Sequence, residues 1–156
     1  MIAPSLATAA RLRRRLTGAP SPLAGRVVLV TGASSGIGEH TAYAAARAGA
    51  RLLLVARRAD ELERVAEAVR GLGAEASTYT CDLTDGDAID ALVVQVLAEH
   101  GHVDHLVNNA GRSIRRSLAA SADRFHDVER TMAINYFGPV RLTMGLLPAM
   151  RSQGFG

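Results

Sequence analysis

The sequence has 156 residues, 48% of them apolar and 21% charged, with one cysteine (Cys81) and a formal net charge of +3. That length suits one domain with a sizeable core, and the apolar content excludes disorder. No apolar run approaches the roughly 20 residues of a membrane span, and a lone cysteine excludes a disulfide framework or cysteine zinc cluster and suits a reducing, cytoplasmic setting.

Residues 1–25 are set apart by composition. Arg11, Arg13, Arg14, Arg15 and Arg26 fall within residues 1–26, where there is no acid; the remaining 130 residues carry 13 arginines against 15 acids, a net of −2. The folded part therefore lacks the basic stripe expected of a nucleic-acid binder. Leu6, Ala9, Ala10, Leu12 and Leu16 fall near helical spacing, and Gly18-Ala19-Pro20-Ser21-Pro22 breaks any such helix. Two readings stand for this start: a solvated helical tail on a flexible linker, or an organelle signal or membrane-surface anchor in residues 1–17.

From Arg26 onward, short apolar runs alternate with helix-period stretches. Val27–Val30 predicts a strand, followed by Thr31-Gly32 and a helix over Gly36–Ala48. Leu52–Ala56 predicts a second strand, and Leu62, Val65, Ala66, Val69 and Leu72 mark one helical stripe closed by Gly71 and Gly73. A third strand over Glu75–Cys81 leads to Asp82 and a helix over Thr84–His100, with Ile89, Leu92, Val93, Val96 and Leu97 on its apolar face. Val103–Asn108 is the fourth strand. An Arg-rich loop over Gly111–Ser121 then precedes one long helix carrying Phe125, Val128, Met132, Leu142, Leu146 and Ala149. Such alternation with short loops predicts an α/β fold: a Rossmann-type doubly wound parallel sheet of order 3-2-1-4, its ligand crevice where the order reverses. Every polar motif falls at the carboxyl end of a strand.

The first motif is Thr31-Gly32-Ala33-Ser34-Ser35-Gly36-Ile37-Gly38, between strand 1 and its helix. Glycines there permit a tight turn and close backbone approach to a pyrophosphate, and the free N–H groups of a helix start bind phosphate. The end of strand 2 is the second. A carboxylate there favours NAD through the ribose 2′-OH, whereas arginine takes the 2′-phosphate of NADP; the sequence places Arg57 and Arg58 there, with Asp60 already in the next helix. This predicts NADP(H) over NAD(H), the alternative being two solvated arginines beside Asp60 and Glu61.

The spacing T-G-x-x-x-G-x-G resembles the short-chain dehydrogenase/reductase family. The resemblance extends over about residues 26–154 through Asp82-Leu83, Asn108-Asn109-Ala110-Gly111 and Asn135. The stretches Asn108–Ser117 and Asn135–Met150 are also similar to the reductase domains of bacterial fatty acyl-CoA reductases. The resemblance implies that Gly32, Ser34, Gly36, Ile37 and Gly38 wrap the pyrophosphate and adenosine ribose, with Thr31 and Ser35 in the same turn. It further implies that Asp82 and Leu83 contact adenine and that Asn109, Ala110 and Gly111 line the nicotinamide-ribose side. Asn108 then braces the central strands, and Asn135 is the catalytic-site asparagine that holds a relay water. Asp82 also suits the N-cap of the next helix, and Asn135, on an otherwise apolar stripe, needs a partner if buried. Tyr136 reads as core, Cys81 as a small buried hydrophobe, and His100, His102 and His105 as surface or cap residues, with no metal site. Arg112, Arg115 and Arg116 face either an anionic substrate or solvent.

The family's chemistry uses a tyrosine whose pKa is lowered by a lysine four residues later, and a serine. The 156 residues contain no lysine, and the family's strand 5 would begin near Ser152–Gly156. The expectation is therefore a cofactor-binding half, residues 26–156, of an oxidoreductase that forms homo-oligomers at full length and acts on a small carbonyl or alcohol, of fatty acyl type in the narrower resemblance. Two other readings are a non-catalytic dinucleotide-binding or sensor module, and an interaction protein without a cofactor.

Overall fold

The computed structural model describes residues 20–155, so the reading of residues 1–17 as a helical tail or anchor lies outside the described residues. Strands β1 (Val27–Thr31), β2 (Arg51–Ala56), β3 (Ala76–Thr80) and β4 (His105–Val107) form one parallel sheet of order β3-β2-β1-β4. Between them run helices α1 (Gly36–Arg47), α2 (Ala59–Gly71) and α3 (Gly86–His100), and after β4 come α4 (Phe125–Met132) and α5 (Gly138–Ser152). The register pairs Val27 with Arg51 and Thr31 with Val55, which brings the ends of β1 and β2 to one level.

Alternation along the strands divides the core in two, because successive side chains of a strand point to opposite faces. Val27, Leu29, Leu53 and Val55 join Ile89, Leu92, Val96, Leu142 and Leu146 beneath α3 and α5. Val28, Val30, Leu52 and Leu54 join Ala42, Ala45, Ala46, Leu62, Val65 and Val69 beneath α1 and α2. Both central strands are buried on both faces, which is why they read as continuous apolar runs. The alanines of α1 let that helix lie close against the sheet.

Four expectations need correction. Leu23 packs on the core and the Gly25 N–H donates to the Gly49 carbonyl at 2.8 Å, so the folded unit begins before residue 26. Helix α3 starts at Gly86, not Thr84, and its N-cap is Asp85, whose carboxylate accepts from the Asp87 and Ala88 N–H groups at 3.0 and 3.3 Å. The Asp82 carboxylate instead accepts from the Thr84 N–H at 3.0 Å and its hydroxyl at 2.9 Å, a local turn that sets Asp85 at the helix start. Leu72, Phe125, Val128, Met132 and Tyr136 are exposed rather than core. Finally, the long last helix is broken, with a π turn over Ala133–Phe137 between α4 and α5. Pro139 supplies the reason: it has no N–H to offer the Asn135 carbonyl, and in a regular helix its ring would clash with that group. The extra residue of the turn rotates α4 out of phase with α5, so Leu142 and Leu146 are buried while the α4 stripe faces outward.

Among the described residues no helix is long and apolar enough to cross a membrane.

Candidate functional site

A crevice of about 710 Å³ opens at the carboxyl ends of the strands, within the range of ligand pockets. It is lined by Gly32, Ser34, Ser35 and Ile37 after β1, Ala56, Arg57 and Arg58 after β2, Cys81–Thr84 after β3, and Asn109–Arg112 after β4. Arg130, Ala133 and Ile134 close it from α4 and the π turn. The fold thus brings together most of the sequence-predicted site residues from four separate loops. Thr31, Gly36, Gly38 and Asn135 are not in its wall.

Behind the crevice the turns after β1 and β4 are in contact. Gly32 has a φ of +64°, a region that favours glycine, and a Cβ there would lie 2.9 Å from the Ala110 Cα. A Cβ on Gly38 would lie 2.3 Å from the Gly32 carbonyl oxygen and 2.5 Å from Asn109 Nδ2. The Thr31 hydroxyl donates to the Val107 carbonyl at 3.3 Å and accepts from the Asn109 and Ala110 N–H groups at 3.0 Å each. The Asn109 amide donates to the Thr31 and Gly32 carbonyls at 2.9 and 3.3 Å. Asn109, not Asn108, is therefore the brace between the ends of β1 and β4. Asn108 is exposed, and its amide donates to the Thr143 hydroxyl of α5 at 3.1 Å.

On the β2 side, Arg57 Nη1 lies 3.8 Å from Asp82 Oδ2, and Arg58 Nη2 donates to the Ser35 hydroxyl at 3.5 Å. The Thr84 N–H and hydroxyl, with Arg57 adding to them, hold the Asp82 carboxyl below its ordinary range against some burial. Cys81 is buried, and burial pushes its thiol up to about 11, which removes it as a nucleophile at neutral pH. A turn that admits no Cβ at Gly32 or Gly38, the N–H groups of the α1 start, and two guanidinium groups at one end fit a dinucleotide phosphate chain.

Asn135 is exposed rather than buried. Its Oδ1 accepts from the Arg112 N–H at 2.9 Å and its Nδ2 donates to the Arg112 carbonyl at 2.8 Å, so one side chain clasps both backbone polar groups of a residue in the crevice wall. π turns recur at functional sites, and this one sets Asn135 against that loop. Arg112 reaches the crevice, whereas Arg116 is engaged with Arg124 on the buried Asp127. The three histidines go to different partners. The Tyr79 hydroxyl lies 2.6 Å from His100 Nε2, which places that ring inside the fold; His102 faces Asp104, and His105 meets the Phe155 ring edge at 5.4 Å. Among the described residues no cluster of three His, Cys, Asp or Glu groups could hold a metal ion.

Sequence reasoning missed Arg130, Ala133 and Ile134 in the wall, and also missed Arg64, whose guanidinium reaches the Ser34 carbonyl at 3.4 Å. Pro139 was the one signal that could have revealed the π turn.

Comparison with known proteins agrees with this geometry. The chain is 58% identical over 126 residues to a fatty acyl-CoA reductase of Acinetobacter baylyi, covering 81% of this chain and 43% of that protein. A fatty acyl-CoA reductase of Mycobacterium tuberculosis is 50% identical over 137 residues, covering 88% of this chain and 47% of that one. The chain thus spans under half the length of these curated relatives. A metagenomic short-chain oxidoreductase solved in complex with NADP superposes with a TM-score of 0.81 at 38% identity, over 87% of this chain and 61% of that one. The short chain dehydrogenase family model matches residues 26–156, which takes in every strand and every crevice loop described above, and the chain belongs to that family.

Proposed function

We propose that the protein is an NADP(H)-dependent short-chain oxidoreductase, and that this chain forms its cofactor-binding half. The carrying observation is the pair Arg57 and Arg58 at the end of β2, on the rim of a crevice whose turn leaves no space for a Cβ at Gly32 or Gly38. When bound, the nicotinamide cofactor supplies or takes a hydride at a carbonyl or hydroxyl carbon of the substrate. Gly32, Ser34, Gly36, Ile37 and Gly38 wrap the pyrophosphate and adenosine ribose, with the α1 N-terminus directed at the phosphates and Thr31 fixing the turn. Arg57, Arg58 and Ser35 take the 2′-phosphate, Asp82 and Leu83 flank adenine, and Asn109, Ala110 and Gly111 form the nicotinamide-ribose side. An asparagine amide has two donors and two acceptor lone pairs; Asn135 uses one of each on Arg112, and the remaining pair holds a relay water. The tyrosine and lysine of the proton relay are not among these 156 residues, which contain no lysine.

The likeness to fatty acyl-CoA reductases points to a fatty acyl-derived carbonyl as substrate, and Arg112 at the crevice wall suits an anionic group on it.

The test is Arg57→Asp, with NADPH and NADH affinities read by direct titration. Hydrogen bonds to charged groups contribute roughly 1.5–3 kcal/mol, so NADPH affinity should fall by about 10- to 100-fold while NADH binds as well or better. Equal affinities in the wild type, unchanged by the substitution, would refute the cofactor assignment.

A further inference from the structure

We propose that Arg64 is a positioning residue for the 2′-phosphate end of the cofactor site, acting through the crest of the β1–α1 turn. The inference rests on the NADP(H) reading above.

Arg64 lies on α2 and does not line the crevice. Its guanidinium nevertheless joins three segments. Nη1 donates to Glu39 Oε1 of α1 at 2.9 Å, Nε to Glu61 Oε2 of its own helix at 3.2 Å, and Nη2 to the Ser34 carbonyl at 3.4 Å. The far side of this bracket is fixed as well, because the Tyr43 hydroxyl donates to Glu39 Oε1 at 2.8 Å. Arg64 first, then Tyr43, hold the Glu39 carboxyl below its ordinary range, so the acceptor stays ionised. A planar fork held at three points has little freedom left.

The consequence lies in the Ser34–Ser35 peptide. In a trans peptide the carbonyl and the following N–H point to opposite sides. With the Ser34 carbonyl turned toward Arg64, the Ser35 N–H points away from α2, and it meets no acceptor among the described residues. Ser35 lines the crevice, and its hydroxyl accepts from Arg58. Arg64 thereby turns the Ser35 N–H to the side of the hydroxyl that Arg58 engages, and the two form one anion-binding edge. The other end of the turn is secured independently, by the contact of Gly38 with Gly32 and Asn109. Loosening Arg64 should therefore affect the 2′-phosphate and spare the 5′-phosphate.

Two probes separate these ends: adenosine 2′,5′-bisphosphate and adenosine 5′-monophosphate, titrated calorimetrically into the full protein. Arg64→Leu should weaken the bisphosphate by about tenfold, the effect of one hydrogen bond to a charged group, and change the monophosphate by less than about twofold. Arg64→Lys, which keeps the charge and the stem but not the fork, should fall between, and it carries the test if the leucine variant does not fold. Equal losses on the two probes, or no loss on either, overturn the role of Arg64 while leaving that of Arg57 standing. A wild-type protein that binds both probes alike overturns both.

Discussion

Gly38→Ala is expected to abolish measurable cofactor binding, lowering affinity by at least about 100-fold, or about 2.7 kcal/mol. The added methyl would sit 2.3 Å from the Gly32 carbonyl oxygen, 2.8 Å from its carbon and 2.5 Å from Asn109 Nδ2. Two of these atoms are backbone, and the third is held by the Thr31 and Gly32 carbonyls. No flexible side chain is available to yield, so the α1 N-terminus and the β1 turn must separate, and the phosphate-facing N–H groups separate with them. Overpacking a tight site costs roughly 1–3 kcal/mol of stability. The variant should therefore still fold, with a lowered urea midpoint, and fail in an NADPH fluorescence titration. Retained affinity would show that the turn is not the phosphate site.

Asp104→Ala is expected to lower the free energy of unfolding by about 3 kcal/mol, measured by urea denaturation. Asp104 is 3% exposed at the foot of the sheet. Its Oδ2 accepts from the Val27 N–H at 2.8 Å and its Oδ1 from Arg26 Nη1 at 3.1 Å, while His102 Nε2 lies 3.5 Å away. The Arg26 guanidinium in turn sits 4.0 Å over the Phe155 ring. Removal orphans a buried N–H at the first residue of a central strand, a loss of roughly 1–3 kcal/mol, and frees a partly covered guanidinium. Burial pushes the Asp104 carboxyl up, but the Val27 N–H, Arg26 and His102 together outweigh it and hold the carboxyl below its ordinary value. The folded pKa is thus depressed. Its contribution is fully present above the unfolded value of about 3.9 and is lost as pH falls through that value toward the folded one. Asp104→Asn, which keeps an acceptor for Val27, should show a flatter acid limb than the wild type; an identical limb would remove Asp104 from the account.

The sheet and most of the crevice were legible because their signals are local. Val27–Val30 and Leu52–Ala56 are apolar on both faces, and the glycine turn, Arg57 and Asn109 each follow directly on a strand. The order of the sheet followed from the alternation of strands and helices. What was hidden depends on partners distant in sequence. Asp82 and Asp85 have the same capping chemistry, and only the Thr84 contacts assign the cap to the second. The stripe from Phe125 to Ala149 has helical spacing throughout, yet Pro139 shifts its phase. Asn135 looked buried by its neighbours, and the π turn instead brings it to the surface beside Arg112. Arg130 and Arg64 belong to no motif, so only the folded chain reveals what they face.

The cations around the crevice also decide which covalent reagents can report on it. With no lysine in these 156 residues, reagents that acylate primary amines find no side chain here to modify. Dicarbonyl reagents that condense with guanidines will reach Arg57, whose side chain is 72% exposed. A bound dinucleotide would cover that position while leaving the outward arginines of the helices open. Mass-spectrometric mapping of guanidine adducts, with and without cofactor, therefore yields an occupancy footprint of the crevice that amine chemistry cannot provide.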